Sequence, residues 1–451
     1  MQSVVSDNYI YETADRATDS YQYRTEFLSE GSQYNLGDIC RIPLPPVQNG
    51  FLNTSNCYLK VKASFTGVTG AGLGATVRTS WIGINAAFDQ VNILSNGNFV
   101  QHYQHAQEMF AISAACNTNL GAWQQGSLTN GLGLRTDTAS TTYANHCQVL
   151  GQSLGTYDTG GSATSASWSN KDYCPSLMGL LSGTRHLPLS WLNSDACVEL
   201  YLTDDIRNIL FNSAAAGTIT GGSATFEISL VAEIDVLSDN ALRKTQQFCD
   251  FGQGPVSWSD TQMRASLNTY TVAELNMTPS AMMKSQLVTG VRPRKLQKVL
   301  QAGFRANTTG SVDRWALVNP YENFQLKIGA TLYPPRRQEN QAEMCQHALR
   351  CFNQGGYTVM NNMLYKESYK KRFFNSAGVK TYTEMGVAGI DLTQYDNQGG
   401  DGLDTAQVSC EVMGDLKLTS TTAVEAITVA TVKVFGVLYS VSPEGDMSVS
   451  Y

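Results

Sequence analysis

Ser153 stands in the sequence pattern of an activated nucleophile. Residues 151–155 read GQSLG, which matches the G-x-S-x-G pattern of hydrolase nucleophile elbows. That chemistry requires the serine on a tight turn between a strand and a helix, with an aspartate and a histidine placed later in the chain. Residues 156–170 (TYDTGGSATSASWSN) are too rich in Gly, Ser and Thr to predict the helix. The pattern therefore favours a glycine-rich loop, and a β-rich hydrolase stays an alternative.

Two histidines have a spacing that suits a metal ion. His102 and His105 would share one face of a helix predicted over 101–112 (QHYQHAQEMFAI), because side chains three residues apart are neighbours on a helix. No third ligand lies near them in the sequence, whereas protein zinc sites use three or four side chains. We interpret them as surface or interface histidines. Two weaker candidates of the same kind are His146 with Cys147, and Cys345 with His347.

Four aspartates fall in one glycine-rich segment, DLTQYDNQGGDGLD, at Asp391, Asp396, Asp401 and Asp404. Loop carboxylates are ligands for hard cations, but this spacing is not that of an EF-hand. The segment therefore favours a solvated loop over a calcium site.

Two further clusters lack the geometry that chemistry would need. Asp204 and Asp205 would point to opposite faces of a strand, which argues against an acid–base pair and favours a turn. The glycines at 70, 72 and 74 have no Lys-Ser/Thr after them, so they predict a hairpin tip and not a phosphate-binding loop. We therefore predict no catalytic, cofactor-binding or metal-binding residue, no cofactor and no small-molecule substrate, and hence no enzyme.

Basic residues form two clusters, one at Arg292, Arg294, Lys295 and Lys298, the other at Lys366, Lys370, Lys371 and Arg372. The second is interleaved with Tyr and Phe between 365 and 374, as in surfaces that bind nucleic acid or membranes. A subunit interface or a solvated face is favoured for both clusters. Contact with a genome or an inner membrane is the alternative.

The composition excludes several classes of protein. Only 15% of the 451 residues are charged, against roughly a quarter in an average soluble domain. Residues 1–250 carry 12 Lys and Arg against 21 Asp and Glu, a net of −9, and residues 251–451 carry 19 against 17, a net of +2. This balance argues against a general nucleic-acid binder. No apolar run approaches the roughly 18 residues of a membrane span, and Met1 opens a polar stretch that is unlike a signal peptide. The ten cysteines form no C-x-x-C pair and are predicted to be reduced, buried thiols.

Short runs of Val, Ile, Phe, Tyr and Thr between Gly, Asn and Ser clusters predict a β-sandwich or barrel. Residues 88–94 and 98–100 flank Asn96-Gly97, a pair typical of type I′ hairpin turns. The order of elements is repeated. In the first half, strands at 58–65 and from 88 precede the helix at 101–112 and a closing strand at 225–237. In the second half, strands at 298–305 and 324–334 precede a helix at 339–353 and a closing strand at 424–440.

This repeat predicts two domains of one fold. We place an N-terminal arm at 1–34, a first domain at 35–245 and a second domain at 246–451. The arm is polar, rich in Tyr and without a clean period, so we expect it to order only against something else.

Four segments resemble the double jelly-roll major capsid proteins of tailless icosahedral double-stranded DNA viruses, the tectivirus–adenovirus lineage with the polinton-like viruses, adintoviruses and virophages. They are residues 42–59, the hairpin from Phe88 to Gly97, residues 319–334 (NPYENFQLKIGATLYP), which resemble the matching hairpin of the second jelly roll, and the C-terminal residues 442–451 (SPEGDMSVSY). The likeness runs in scattered pieces from about residue 40 to 451. It implies an all-β fold of two tandem eight-stranded jelly rolls, with short helices in the connections.

The resemblance also implies a function. The chain would be a structural major capsid protein whose homotrimers, with a pseudo-hexagonal outline, tile an icosahedral virion shell. Its partners would be copies of itself, neighbouring capsomers and minor capsid or penton proteins, with an inner membrane or genome reached through the arm or the basic clusters. It would be assembled in the host cell interior and reside in the virion. The alternative is a minor capsid, vertex or spike-type β-sandwich that recognises a glycan or receptor.

Overall fold

A computed structural model of the chain describes residues 20–73, 77–117, 154, 164–182, 186–192, 196–212, 217–248, 255–271, 283–287, 292–305, 310, 313–315, 317–318, 323–339, 341–351, 387–393, 402–415 and 426–451. The elements of the first half are β1 (Ser20–Leu28), β2 (Tyr34–Asn35), β3 (Ile39–Pro43), β4 (Gly50–Thr69), β5 (Val77–Thr79), β6 (Phe88–Ser95), β7 (Asn98–Gln104), α1 (Ala106–Asn117), β8 (Ser165–Tyr173), β9 (His186–Leu187), β10 (Cys197–Leu202), β11 (Leu210–Asn212), β12 (Gly221–Leu237) and α2 (Asp239–Phe248).

The elements of the second half are β13 (Val256–Tyr270), β14 (Met283–Leu287), β15 (Leu296–Arg305), β16 (Leu317–Val318), β17 (Phe324–Ile328), β18 (Thr331–Gln338), α3 (Gln341–Arg350), β19 (Ala388–Asp391), β20 (Cys410–Asp415), β21 (Ile427–Val441) and β22 (Met447–Ser450). Among the described residues of the first half, four short 3₁₀ helices lie in the connections.

Each half contains two antiparallel sheets with the same strand order. In the first half the order is β1–β12–β4–β8 in one sheet and β3–β10–β6–β7 in the other. In the second half it is β13–β21–β15–β19 and β14–β20–β17–β18. Each half thus has eight strands in these two sheets. When the eight are numbered in chain order, one sheet has the order first–eighth–third–sixth and the other has the order second–seventh–fourth–fifth, in both halves. This is the double Greek key of a jelly roll, and the chain contains two of them in tandem, as the sequence predicted.

Alternating side chains explain why the long strands form. In β4, Leu59, Val61 and Phe65 are buried, while Lys60 and Lys62 point outward. Lys60 pairs with Glu26 of β1 at 3.2 Å and Lys62 with Glu227 of β12 at 3.4 Å. A period of two places one set of side chains in the core and the other in water.

Part of the predicted arm forms strands in the structure. Residues 1–19 lie outside the described residues, but β1 pairs with β12 over nine residues from Ser20 to Leu28, and Phe27 is buried in the core. β2 pairs with the same edge of β12. This part of the segment orders against its own chain because it completes the first sheet. Nothing else tests the predicted domain limits, although the paired strands of the two halves separate between Leu237 and Val256.

Two local predictions differ from the structure. The segment predicted as a helix from residue 101 continues as β7 to Gln104, and α1 begins at Ala106 after His105, whose φ is 60°. Residues 98–104 are strand because they pair with β6 across the hairpin. Residues 324–334, predicted as one strand from the repeat but as a hairpin from the resemblance, form β17 and β18 around a turn at Gly329.

The hairpin turn at Asn96-Gly97 is confirmed. The two residues have φ values of 49° and 74°, as a type I′ turn requires. Asn tolerates this left-handed conformation better than other side chains, and Gly adopts it at no steric cost.

This turn gives a clean test of backbone strain. A Cβ atom on Gly97 would meet nothing within 4 Å, so Gly97→Ala adds strain without a clash. We expect it to lower the free energy of unfolding by about 1 kcal/mol, measured by urea denaturation. Gly97→Asn is the matched control and should lose less. Equal stability of the alanine variant and the wild type would contradict the assignment.

Candidate functional site

The two jelly rolls meet at a buried seam in which Asp313 of the second half receives hydrogen bonds from the first. Its carboxyl oxygens accept from Ser80 Oγ at 2.8 Å and from the Trp81 backbone N–H at 2.7 Å. They also accept from the backbone N–H of Trp315, at 3.1 Å. Asp313 is only 7% exposed, so water cannot replace these donors. The Asp313 carboxyl group therefore accepts hydrogen bonds from both jelly rolls.

Two tryptophans extend this seam. The indole Nε1 of Trp81 donates to the carbonyl oxygen of Trp315 at 2.5 Å, and the indole Nε1 of Trp315 donates to the carbonyl oxygen of Asn208 at 2.8 Å. Both rings are fully buried, and Trp315 packs edge-on against Phe304 at 5.7 Å. Leu300 and Phe304 belong to the same apolar cluster as the core of the first jelly roll. The core is therefore continuous across the two halves.

Backbone atoms also approach closely at the seam. The N–H of Asn212 donates to the carbonyl oxygen of Gly310 at 2.8 Å. Gly310 has a φ of 63°, and a Cβ atom there would lie 2.8 Å from the carbonyl oxygen of Ile219. Glycine is required at this point by both conformation and space.

A second part of the seam contains strand β7. Gln262 of β13 is buried and donates from Nε2 to the carbonyl oxygen of Val100 at 2.8 Å and to the hydroxyl of Tyr439 at 2.7 Å. Near the hairpin, the N–H of Met447 donates to Ser95 Oγ at 3.1 Å. The fifth strand of the first jelly roll thus lies against the first strand of the second jelly roll.

Ionisable groups gather where α1 enters the seam. Glu108 of α1 is only 4% exposed, and its Oε2 atom has no hydrogen-bond partner. Burial raises the pKa of Glu108 to about 7; Asp89 also raises it, and the guanidinium of Arg314 from the second half opposes the increase. Burial likewise raises the pKa of Asp89 and lowers that of His105. Arg314 donates from Nη1 to Asn208 Oδ1 at 2.6 Å and lies over the Trp315 ring.

Among the described residues, seven large apolar side chains are exposed: Tyr21, Tyr23, Leu28, Ile39, Phe99, Leu332 and Tyr451. Three of them lie on β1, the outer strand of its sheet. The rings of Tyr21 and Tyr23 stack at 6.3 Å, and adjacent exposed apolar side chains mark association surfaces, so the outer strand β1 is the candidate functional surface of this fold.

The structure does not place His102 and His105 on one face of a helix. His102 is in β7, with Nδ1 2.8 Å from Asn92 Oδ1 and its ring against Phe99. His105 occupies the link between β7 and α1. His347 is half-buried on α3. Within the described ranges, no group of three or more His, Cys, Asp or Glu side chains could hold a metal ion.

The aspartate predictions have separate outcomes. Asp204 and Asp205 lie in a turn as predicted, where Asp205 caps a 3₁₀ helix and binds Arg207 at 2.6 Å. Asp391 is in β19, and Asp404 accepts from the N–H of Ala406 at 2.9 Å. The calcium-binding alternative involves residues 396 and 401, which lie outside the described residues and leave it untested.

Other predicted residues are only partly described. Arg292, Arg294 and Lys295 are exposed, but Lys298 is buried in β15 opposite Asp391, where burial lowers its pKa. The first basic cluster is therefore three exposed residues. Ser153, His146, Cys147, Gly74 and the basic cluster at 365–374 lie outside the described residues.

Most cysteine side chains in the described part of the chain are buried, as predicted. Five of the seven are buried, at Cys40, Cys57, Cys116, Cys351 and Cys410. Burial raises the pKa of Cys40 to about 11 and that of Cys57 to about 12. In the described part of the chain, no helix is long and apolar enough to span a membrane.

Comparison with known proteins finds relatives only by structure. No family model and no curated protein matches the sequence. The chain is similar to the PBCV-1 virus capsid at 10% identity and a TM-score of 0.57, over 97% of this chain and 98% of that one. It is similar to the mavirus major capsid protein at 10% identity and a TM-score of 0.57, over 95% of this chain and 90% of that one. It is similar to the Sputnik virophage structure at 14% identity and a TM-score of 0.54, over 95% of this chain and 88% of that one.

These similarities confirm the fold indicated by the sequence resemblance. The chain is an all-β protein with the double jelly-roll fold of viral major capsid proteins, and the likeness spans nearly all of it. Sequence reasoning did not find the seam residues Asp313, Trp315 and Glu108. They lie in no motif, and only an Asp-Arg-Trp run beside a predicted strand signals the first two.

The seam network predicts a large loss of stability on removal of its central carboxyl group. Asp313→Ala would leave three buried donors without an acceptor, and we expect the free energy of unfolding to fall by about 3 kcal/mol or more. Urea denaturation measures this loss. Asp404→Ala is the control because Asp404 is exposed and accepts from one turn N–H. Equal losses in the two variants would contradict the role assigned to Asp313.

Because Glu108 is buried, we expect the free energy of unfolding to depend on pH. Its pKa is raised by folding, so its contribution is fully present below its unfolded pKa of about 4.5 and is lost as the pH rises through about 7. Glu108→Gln should be less sensitive than the wild type to a rise from pH 6 to 8. Asp89 acts in the same direction and His105 in the opposite one, so the informative quantity is the difference between wild type and variant. Identical pH profiles would contradict this prediction.

Proposed function

We propose that this chain is the major capsid subunit of an icosahedral virion and that it self-associates into homotrimers that tile the shell. The observation that carries the proposal is the pair of jelly rolls with one strand order, joined by a buried seam. Such a chain is a rigid block in which each of the two jelly rolls has similar sheet edges.

Three copies of this block supply six jelly rolls. Arranged around a threefold axis, six similar units have a nearly hexagonal outline, and hexagonal units tile a surface without gaps. Closed cyclic association requires one surface of each copy to meet a different surface of the next. The two jelly rolls satisfy this requirement because they share a fold but differ in surface residues.

The surface chemistry supports association between copies. Only 15% of residues are charged, and charged residues are depleted in the cores of protein interfaces. The first half is acidic, at −9, and the second is slightly basic, at +2. This difference favours contact between unlike halves of neighbouring copies.

Capsid proteins also contact other components, and the same surfaces suggest which ones. We propose neighbouring trimers and minor capsid or penton proteins as partners. An inner membrane or the genome would be reached by the N-terminal residues before β1 or by the exposed basic residues Arg292, Arg294 and Lys295. The protein would be assembled in the host cell interior and reside in the virion.

This function requires no chemistry from side chains, and we propose that the chain is not an enzyme. A minor capsid, vertex or spike-type role with recognition of a glycan or receptor is the alternative. It differs from the main proposal in its expected oligomeric state and ligand.

Light scattering coupled to size-exclusion chromatography tests the proposal on the full chain. We expect a stable species of three times 49.1 kDa that persists on dilution, and negative-stain images with a hexagonal outline. A monomer at all concentrations, with binding to immobilised glycans, would contradict the proposal and favour the alternative.

A further inference from the structure

Two cationic side chains lie directly opposite each other on neighbouring strands of the second jelly roll. Arg264 of β13 pairs with Lys433 of β21 in the antiparallel register. Directly opposite residues carry their side chains on the same face of the sheet, with Cβ atoms about 5 Å apart, and like charges at such positions are destabilising. Lys433 is only 3% exposed, so water screens the repulsion poorly. The pair therefore costs free energy unless an opposite charge lies beside it.

The groups around Lys433 do not supply that charge. Burial lowers the pKa of Lys433, the Cys410 thiol opposes this decrease, and the guanidinium of Arg292 adds to it. The pKa of Cys410 itself is raised to about 11, so the thiol is neutral at pH 7. Among the described residues, no carboxylate forms an ion pair with Arg264.

Two hydrogen-bond donors on the same face of β13 are buried and have no acceptor in the described part of the chain. They are the Nε–H of Arg264 and the hydroxyl of Ser266. These residues are two apart in a strand, so both side chains lie on the face that also carries Lys433. Nearly all buried donors in proteins are satisfied by protein atoms, ordered water or a bound ion. A negatively charged acceptor would satisfy both donors and oppose the repulsion, whereas a water molecule would only satisfy the donors.

One side of this cluster is accessible from solvent. Arg264 is half-buried, and it donates from Nη2 to the hydroxyl of Tyr451 at 3.0 Å. The guanidinium carbon lies 6.0 Å from the centre of the Tyr451 ring. Tyr451 is 38% exposed, so a small ion reaches the guanidinium past a partly exposed ring.

We propose that Arg264, Lys433 and Ser266 bind a small inorganic anion, of the class of chloride or phosphate. The anion accepts hydrogen bonds from the Arg264 Nε–H, the Ser266 hydroxyl and the Lys433 ammonium group, and its charge offsets the repulsion between the two cations. Charge-assisted hydrogen bonds of this kind are roughly twice as strong as neutral ones. All three side chains belong to one chain, so the site does not depend on the proposed self-association.

The site adjoins the seam between the two jelly rolls. Gln262, two residues before Arg264 on the same face of β13, donates to the carbonyl oxygen of Val100 in the first jelly roll. Burial and, to a smaller extent, the charge of Arg264 lower the pKa of His102 on β7. Arg264 thus lies close to both jelly rolls, and an anion that holds its side chain in place stabilises the contact between them.

Urea unfolding of the full chain in sodium chloride, sodium phosphate or sodium gluconate, at equal ionic strength, tests the site. Gluconate is a large organic anion that should not enter. An anion at ten times its dissociation constant lowers the equilibrium constant for unfolding about 10-fold, and we expect a decrease of this size from gluconate to chloride or phosphate. Arg264→Gln and Lys433→Met should each lose most of it. In gluconate, Lys433→Met should be at least as stable as the wild type, because the repulsion is removed.

Lys298→Met is the matched control for Lys433→Met. Lys298 is a buried lysine of the same sheet, but it lies on β15 opposite Asp391, so a carboxylate of the chain itself faces it. This variant should keep the full difference between the salts. It therefore separates anion binding from the general effects of salt on stability and from the loss of a buried lysine.

An effect of chloride or phosphate that persists in the control and is lost in both site variants supports the site, and a response to only one salt identifies the anion. Equal stability of the wild type in all three salts overturns the proposal. A salt effect of the same size in Arg264→Gln as in the wild type also overturns it. Because Arg264 is half-buried, that variant decides the outcome if Lys433→Met does not fold.

Discussion

Asp313 holds its carboxyl group where water does not reach, and hydrogen-bond donors from both jelly rolls surround it. Buried polar groups tolerate little displacement, because each lost hydrogen bond leaves an unsatisfied group in a dry interior. The angle between the two jelly rolls is therefore set by atoms of both, reinforced by the reciprocal bonds of Trp81 and Trp315. Since the outer strands belong to sheets on either side of this point, their relative positions are set as well. A repeated assembly needs that rigidity.

Neutral side-chain amides make many of the buried hydrogen bonds inside this sparsely charged chain. Gln107 donates to the carbonyl oxygen of Ala86, and Gln338 to that of Gly389. Both glutamines are buried. Each holds a connection or strand end to a neighbouring element without the desolvation cost of a buried charge. The low charge of the sequence therefore reflects its interior as well as its proposed interfaces, which composition alone does not distinguish.

The sequence predicts local structure correctly where backbone preference alone determines it. It does not do so where pairing with another strand determines the structure. Asn96-Gly97 specifies its hairpin by backbone preference alone. Residues 101–104 have helical spacing, but pairing with β6 makes them strand. The edge position of β1 depends on β12, two hundred residues away in the sequence. The same limit applies to the site: Glu108 looks like any exposed helical glutamate in the sequence, but the folded chain buries it.

The buried thiols have a consequence for the chemical durability of the protein. A cysteine with a pKa of about 11, such as Cys40, has about one part in ten thousand as thiolate at neutral pH. Thiolate is the form that reacts with oxidants and disulfides. The proposed shell would form in the reducing interior of the host cell and would meet oxygen after release. The five buried thiols would therefore neither crosslink neighbouring copies nor be readily oxidised to charged acids, so these positions would not respond to the redox state of the surroundings.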